Sequence, residues 1–409
     1  MMFQVNGSKV LFKVELSEQH LTTQEIALQV DNFLPSQYLK DRIIPINHCY
    51  LREQFSDYNE ILDDIADLVK NEDFTLGQKV DEFEEYISQM LQVKHVIGVN
   101  SGTDAIRLSL IALGIGPGDE VITTPYTFYA TIGAIHTTGA KPVFVDIGED
   151  YNIDASKIEQ AINSKTKAIL PVHWAGLCCD MNAILQIASS HGLHVVEDSC
   201  HGILGRRHDR FAGTFGSAGC FSMHPLKNLN VWGDGGFIVT DSDETNNKLR
   251  LLRNHGLVDR DQCFEFGYNS RLDTIQAIVG LHALEKLENL TNARIRNAEA
   301  LDSLLSDIPE VSVPVRPYNT KQVYHLYIVK AKKRDELLDY LRSKGVDAKV
   351  HYPTPMHLQP AAGYLNYKEG DFPVCESTCK QVISLPVHEF ITTEDTEKIA
   401  KEIKSFYQL

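Results

Sequence analysis

The sequence predicts an α/β protein, with a large domain built on a mostly parallel sheet covered by helices and a smaller C-terminal α/β domain after it. Three observations carry this expectation. Short apolar runs alternate with helical stretches between residues 96 and 197; a long helical stretch starts at Arg271; and β-type and helical runs resume beyond it. A chain of 409 residues has room for about two to three domains with large cores and no disulfide staples.

Residues 1–44 read as an appendage. Phe3 and Val5, then Val10, Phe12, Val14 and Leu16, alternate on either side of Asn6-Gly7, a hairpin signal. Thr22 and Glu25 form a capping box for a helix to about Leu34, where Pro35 follows. From Ser56 the stripe Ile61, Leu62, Ile65, Leu68 and Val69 predicts a helix, and a second follows over 80–91. Five β-type runs come next, at 96–99, 121–123, 142–145, 168–172 and 194–197, separated by helical stretches as in βαβ units. Two more, at 220–223 and 237–239, flank a turn-rich segment around Lys227. A long helix over 271–287 leads out of the large domain. Beyond it lie β-type runs at 324–329 and 346–351 and helices at 334–341 and 393–406. The expected division is an extension at 1–44, a large domain with leading helices at 45–280, and a small domain at 281–409.

Composition excludes several classes. Hydrophobic content of 43% and charged content of 23% describe an ordinary globular chain. No apolar run approaches the ~20 residues that cross a bilayer, and the N-terminus lacks the basic start and apolar core of a secretory signal. The expected compartment is the cytoplasm, with no membrane partner. A net charge of −16 gives no general attraction to nucleic acid, so a phosphate-bearing ligand must be held by local groups. The one basic cluster, Arg206, Arg207, His208 and Arg210, reads as a solvated hairpin. Eight scattered cysteines without CxxC spacing point to reduced, mostly buried thiols. GDGG at 233–236 is not GxGxxG and precedes a β-type run, which argues against a dinucleotide site.

Ligands on parallel sheets bind at the carboxyl ends of the strands. After the run ending at Val99, Ser101-Gly102-Thr103-Asp104 opens a helix, where free N–H groups suit a phosphate; the same string is also a good cap. After Ile122, TTPYTFYAT brings Phe128 or its neighbours to this edge as a flat apolar surface. After Glu197 comes Asp198, a carboxylate where the chain leaves the sheet. Lys227 sits on a turn fixed by Pro225, and a lysine is nucleophilic only when burial or a nearby cation keeps its amine neutral. Together these groups match the requirements of pyridoxal phosphate. The lysine bonds the cofactor, the acid pairs with the ring nitrogen so that the ring draws electrons, and the cradle anchors the phosphate.

SGTDA at 101–105, the stretch Pro125–Thr131, EDSCHG at 197–202 and FSMHPLKN at 221–228 followed by GDGG resemble the DegT/DnrJ/StrS family of PLP-dependent sugar aminotransferases. The resemblance extends from about Ile43 to the C-terminus, through RNHG at 253, GYNSRLD at 267, HYPTPMHLQP at 351 and SLP at 384. It implies fold-type I of these transferases, with a seven-stranded sheet, and transfer of an amino group from glutamate or glutamine to a keto sugar or cyclitol. Lys227 would be the covalent anchor and the proton carrier, Asp198 the partner of the ring nitrogen, and Phe128 the stacking ring. Gly102, Thr103 and Ser222 would hold the phosphate, joined by Asn269 from a neighbouring subunit, so a homodimer with shared sites is expected.

His201 departs from the family, standing where many members have a glutamine near the ring's phenolic oxygen. The extension at 1–44 is also longer than usual. His351, Tyr352 and His357 are expected at the substrate entrance, with no third metal ligand at suitable spacing. Trp174 reads equally as a wall for the sugar or as core. Two other readings stay open. One is a sugar dehydratase on the same fold, in which a histidine replaces the lysine. The other is a non-catalytic PLP-binding regulator, which would usually carry a DNA-reading segment; the acidic N-terminal region shows no basic recognition helix.

Overall fold

The computed structural model describes residues 2–5, 8–11, 45–48 and 50–409. The chain divides into two units, 1–43 and 44–409. In the first, β1 (Met2–Val5) and β2 (Ser8–Leu11) pair antiparallel with Val5 opposite Ser8, which agrees with the hairpin signal. The Asn6-Gly7 turn and the helix expected over 22–34 lie outside the described residues.

The second unit opens with α1 (Leu51–Gln54), α2 (Tyr58–Asn71) and α3 (Gln78–Leu91). The stripe expected on α2 is narrower than its sequence suggests. Ile61 and Leu68 are buried, whereas Leu62 and Val69 are 46% and 55% exposed, because one seam of the helix meets the core. The alternation then follows: β3 (His95–Val99), α4 (Gly102–Ala112), β4 (Glu120–Thr123), α5 (Tyr129–Thr137), β5 (Lys141–Phe144), α6 (Ala155–Ala161), β6 (Thr166–Ile169), α7 (Met181–His191) and β7 (His194–Asp198). A small hairpin, β8 (Arg206–Arg207) and β9 (Arg210–Phe211), carries the basic cluster. Next come β10 (Ala218–Ser222), β11 (Gly236–Thr240), α8 (Asp243–Arg253) and the 32-residue α9 (Thr274–Leu305). The chain ends with β12 (Val311–Ser312), β13 (Thr320–Lys321), β14 (Tyr327–Ala331), α10 (Arg334–Ser343), α11 (Pro373–Gln381), β15 (Val382–Leu385) and α12 (Thr393–Tyr407).

The main sheet has seven strands in the order β3-β11-β10-β7-β6-β4-β5. Only β11 runs against the others, pairing antiparallel with both β10 and β3. Its strands are near-continuous apolar runs, as expected for a sheet covered on both faces: Ile97, Val121, Ala168, Val196, Cys220 and Ile238 all fall in one core. The basic hairpin does not stay alone, because β13 adds to it as a third strand.

The C-terminal core gathers Leu301, Leu305, Val329, Leu337, Ile383, Ile399 and Ile403 around the β12-β14-β15 sheet. Two corrections to the expected division follow. Ile46 packs in this C-terminal core and bridges to Val346, so the chain around residue 46 sides with the later residues. The boundary at 280 falls inside α9, whose Ala277–Leu287 half packs with Phe83 and Phe237, while Ala298–Leu305 enters the C-terminal core. The run at 346–351 forms single bridges instead of a strand. Among the described residues no helix is long and apolar enough to cross a membrane, and the seven described cysteines are free thiols.

Candidate active site

The carboxyl ends of the parallel strands put Gly102, Asp198 and Ser222 on one edge of the sheet, Gly102 just after β3 and the other two as the last residues of β7 and β10. Alternation along β7 gives its last two carboxylates opposite fates. Glu197 is fully buried and accepts from the Gly213, Phe215 and Gly216 amides at 2.8, 2.6 and 2.6 Å, with His173 Nε2 at 2.8 Å. It builds the loop that leads into β10. Asp198 is held by fewer groups: Thr131 Oγ1 donates to Oδ2 at 2.7 Å and the Cys200 amide to Oδ1 at 3.2 Å. Thr131 is steadied in turn by Thr127 at 2.6 Å.

Lys227 lies in the turn after β10, where its own amide donates to the His224 carbonyl at 2.8 Å. The turn is pinned by side-chain amides on both sides. Asn228 Nδ2 donates to the Val323 carbonyl at 2.9 Å, and Asn230 Nδ2 reaches the Pro225 carbonyl at 2.8 Å and Gln54 Oε1 at 2.9 Å. Burial lowers the Lys227 amine below the usual lysine range, while Cys200 and Asp198 pull in the opposite direction. The lysine is thus shifted toward the condition its chemistry sets, with the Asp198 carboxylate among the groups that act on it.

The cradle at α4 fits a phosphate for two reasons. Ser101 caps the helix by accepting from the Asp104 amide at 3.2 Å, and the first amides, of Gly102 and Thr103, have no acceptor within the helix. A Cβ at Gly102 would stand 2.6 Å from Ser222 Cβ and 2.8 Å from Cys200 Sγ, so the space above this helix end exists only because residue 102 lacks a side chain. Gly236 has a related role, since its Cβ would meet the Ser101 carbonyl carbon at 2.5 Å and push β11 off the cradle. A small, amide-lined anion site on the same sheet edge as a carboxylate and a buried lysine of lowered basicity is the donor set that pyridoxal phosphate requires.

Around this edge stand rings. Phe128 is 46% exposed and lies 5.9 Å from the Tyr352 ring between centroids. His201 packs 4.1 Å from His325 and 5.4 Å from Trp174. His351 approaches Ser384 Oγ at 2.9 Å, and burial brings its imidazole down to about 4. Burial pushes the Tyr352 hydroxyl far up.

Two expected substrate residues sit elsewhere. Trp174 is 1% exposed, packed behind Tyr126, His201 and Tyr352, so it backs the site instead of walling it. His357 is buried as well; its Nε2 meets Glu376 at 3.0 Å and its ring packs on Phe372, which takes it out of an entrance. Asn269 is exposed and bridged through its backbone to Asn254. The sequence reading missed three neighbours. Thr131 was readable from its four-residue spacing to Thr127 at a helix start. His325 and Cys200 carry no such signal, because their roles depend on chain segments that meet only in the fold.

An α/β fold with a lysine, a strand-end aspartate and a helix-end cradle on one edge defines the fold-type I class of PLP-dependent transferases. The profile of the DegT/DnrJ/EryC1/StrS aminotransferase family matches residues 56–404, and the chain belongs to that family. It is 40% identical to the dTDP-3-amino-3,4,6-trideoxy-alpha-D-glucose transaminase of Streptomyces venezuelae, over 79% of this chain and 86% of the relative. It is also 40% identical to a pleiotropic regulatory protein of Geobacillus stearothermophilus, over 88% of this chain and 97% of that one. Among solved structures it resembles S. venezuelae DesV in complex with a ketimine intermediate, with a TM-score of 0.87 and 36% identity over 89% of this chain and 99% of that chain.

Proposed function

We propose that the protein is a PLP-dependent aminotransferase that moves an amino group from glutamate or glutamine to the ketone of a sugar, carried on a nucleotide, on a phosphate or as a cyclitol. The observation that carries this reading is the neutral-leaning Lys227 amine beside Asp198 and the Gly102–Ser222 cradle. Family membership and the transaminase name of the S. venezuelae relative support the same reaction class and a nucleotide-linked acceptor.

Each residue has a defined task. The Gly102 and Thr103 amides and the Ser222 hydroxyl bind the phosphate. Asp198, oriented by Thr131, keeps a proton on the ring nitrogen, and Phe128 covers the ring face. When bound, the cofactor supplies an electron sink for the substrate carbon. Lys227 Nζ takes a proton from that carbon in one half-reaction and returns one in the other, which requires an amine that ionises near working pH. His201 faces the same space as Lys227 and tunes the phenolic side of the ring.

A homodimer completes the proposed site through Asn269 of a second copy. Its support is the segment leading to Asn269, which exposes Phe264 and Phe266 by 76% and 97%. The proposed lobes share α9, with the residues around Ile46 in the C-terminal one, and the proposed compartment is the cytoplasm. The name of the G. stearothermophilus relative favours a regulator as second reading; intact Lys227 and Asp198 favour catalysis, and Lys227 itself disfavours a dehydratase.

The test is to add glutamate alone to the PLP-loaded protein. Conversion of the cofactor to its amine form with matching release of 2-oxoglutarate is expected, and a panel of keto sugars should reverse it. No conversion by any amino donor, with tight binding of an amino sugar retained, would establish the regulator instead.

A further inference from the structure

The stretch 125–131, between β4 and the first turn of α5, does more than carry Phe128 and Thr131. Two of its groups tie down a segment far along the chain. Tyr126 donates its hydroxyl to the His351 carbonyl at 2.6 Å, and the Pro125 carbonyl accepts from the Met356 amide at 2.8 Å. His351 is held from its other side as well, where Nδ1 meets Ser384 Oγ on β15 at 2.9 Å. Tyr352 stands between these ties. Its ring lies 5.9 Å from Phe128 and 5.5 Å from Trp174, and Trp174 lies 4.6 Å from Tyr126. Tyr126 is 1% exposed, and burial pushes its hydroxyl far above the usual tyrosine range, so it stays a donor at any working pH. A phenylalanine would fill the same space in the core; what the hydroxyl adds is the bond to the peptide that precedes Tyr352.

We infer that Tyr126 is a positioning residue, whose hydroxyl fixes Tyr352 against Phe128 and so holds the ring that covers the cofactor at one spacing. The inference rests on the aminotransferase reading, in which Phe128 lies on the cofactor's face. Because Thr131 closes the same stretch and donates to Asp198 Oδ2 at 2.7 Å, the covering ring and the acid for the ring nitrogen sit on one short piece of chain. The tie from Tyr126 therefore steadies both through the loop, without Tyr126 acting on the reacting atoms. The far end of the tied segment is held by a different residue. Asp146, after β5, accepts from the Cys375 and Val374 amides at 2.9 and 3.1 Å, capping α11, whose own N-cap Phe372 offers no side-chain acceptor. Asp146 supports the fold of the segment at a distance from the ring pair, which makes it the natural control.

The experiment is visible-region circular dichroism of the PLP-loaded protein, read per bound cofactor, beside stopped-flow conversion by glutamate. In Tyr126→Phe the cofactor band should fall by about half and the maximal rate of the glutamate step by about tenfold, while the half-saturating glutamate concentration changes less than about twofold. A tyrosine that only fills the core would lower the melting temperature and leave band and rate per bound cofactor untouched. Asp146→Asn should do just that, losing melting temperature with band and rate native. An unchanged band and rate in Tyr126→Phe, or an equal loss of both in Asp146→Asn, would overturn the inference. Native conversion of glutamate with Tyr126→Phe unaltered removes the positioning role and leaves the reaction assignment standing. A weakened band in Tyr126→Phe alone, with no conversion by the native protein, keeps the positioning role and removes the reaction assignment.

Discussion

Glu197 and Asp198 are adjacent carboxylates, and the one that is free to act is the one with fewer amides around it. Glu197 is consumed by three backbone amides and His173, so its replacement should unravel the loop into β10. Asp198 keeps capacity for a cofactor proton. Asp198→Asn should fold normally and lose about a hundredfold or more in kcat, as removal of a preorganised charge does elsewhere; stopped-flow kinetics beside a thermal melt checks it. Thr131→Val removes the donor to Asp198 Oδ2 and should cost less, about tenfold, because the Cys200 amide still holds the other oxygen.

Gly102 opens α4 and shows how a helix end becomes a site. Gly102→Ala drives a methyl to within 2.6 Å of Ser222 Cβ, so either the helix start or the end of β10 must move. A cost of about 1–3 kcal/mol is expected, and PLP affinity, followed by fluorescence quenching, should fall at least about tenfold while far-UV circular dichroism stays native. At this scale much was legible in the sequence. The seven strands of the sheet fall within a few residues of the apolar runs, because strands covered on both faces are apolar throughout. Lys227, Asp198 and Gly102 were read from their places beside apolar runs and Ser222 from the family resemblance, and the fold puts Gly102, Asp198 and Ser222 on one sheet edge. The run at 346–351 misled, since its pairing depends on Ile46 and Ser384 far away in the chain. His357 misled because a polar atom on a ring says nothing about whether its body is buried, while Trp174 takes the core alternative of its two readings; His325 was invisible for the same reason in reverse.

Across the whole molecule, buried histidines set an acid limit. His351 and His388 are both brought to about 4 by burial, against an ordinary value of 6.5. The unfolded chain therefore binds protons at these residues as pH drops below about 6.5, while the folded protein does so only near 4, so stability is full above 6.5 and declines between them. Melting temperatures from pH 8 to 4 should trace this fall, and His388→Gln should make it shallower. The proposed assembly is testable too: Phe264→Ser with Phe266→Ser should convert the proposed dimer to monomers in sedimentation velocity and weaken PLP binding, whereas a native protein that sediments as a monomer would remove the shared-site proposal. The proposed reaction depends on Lys227 as its covalent anchor. Borohydride reduction of the PLP-loaded protein followed by peptide mass spectrometry should leave one phosphopyridoxyl group on the peptide carrying Lys227 and none in Lys227→Ala; a label on another lysine, or no label at all, would contradict the account.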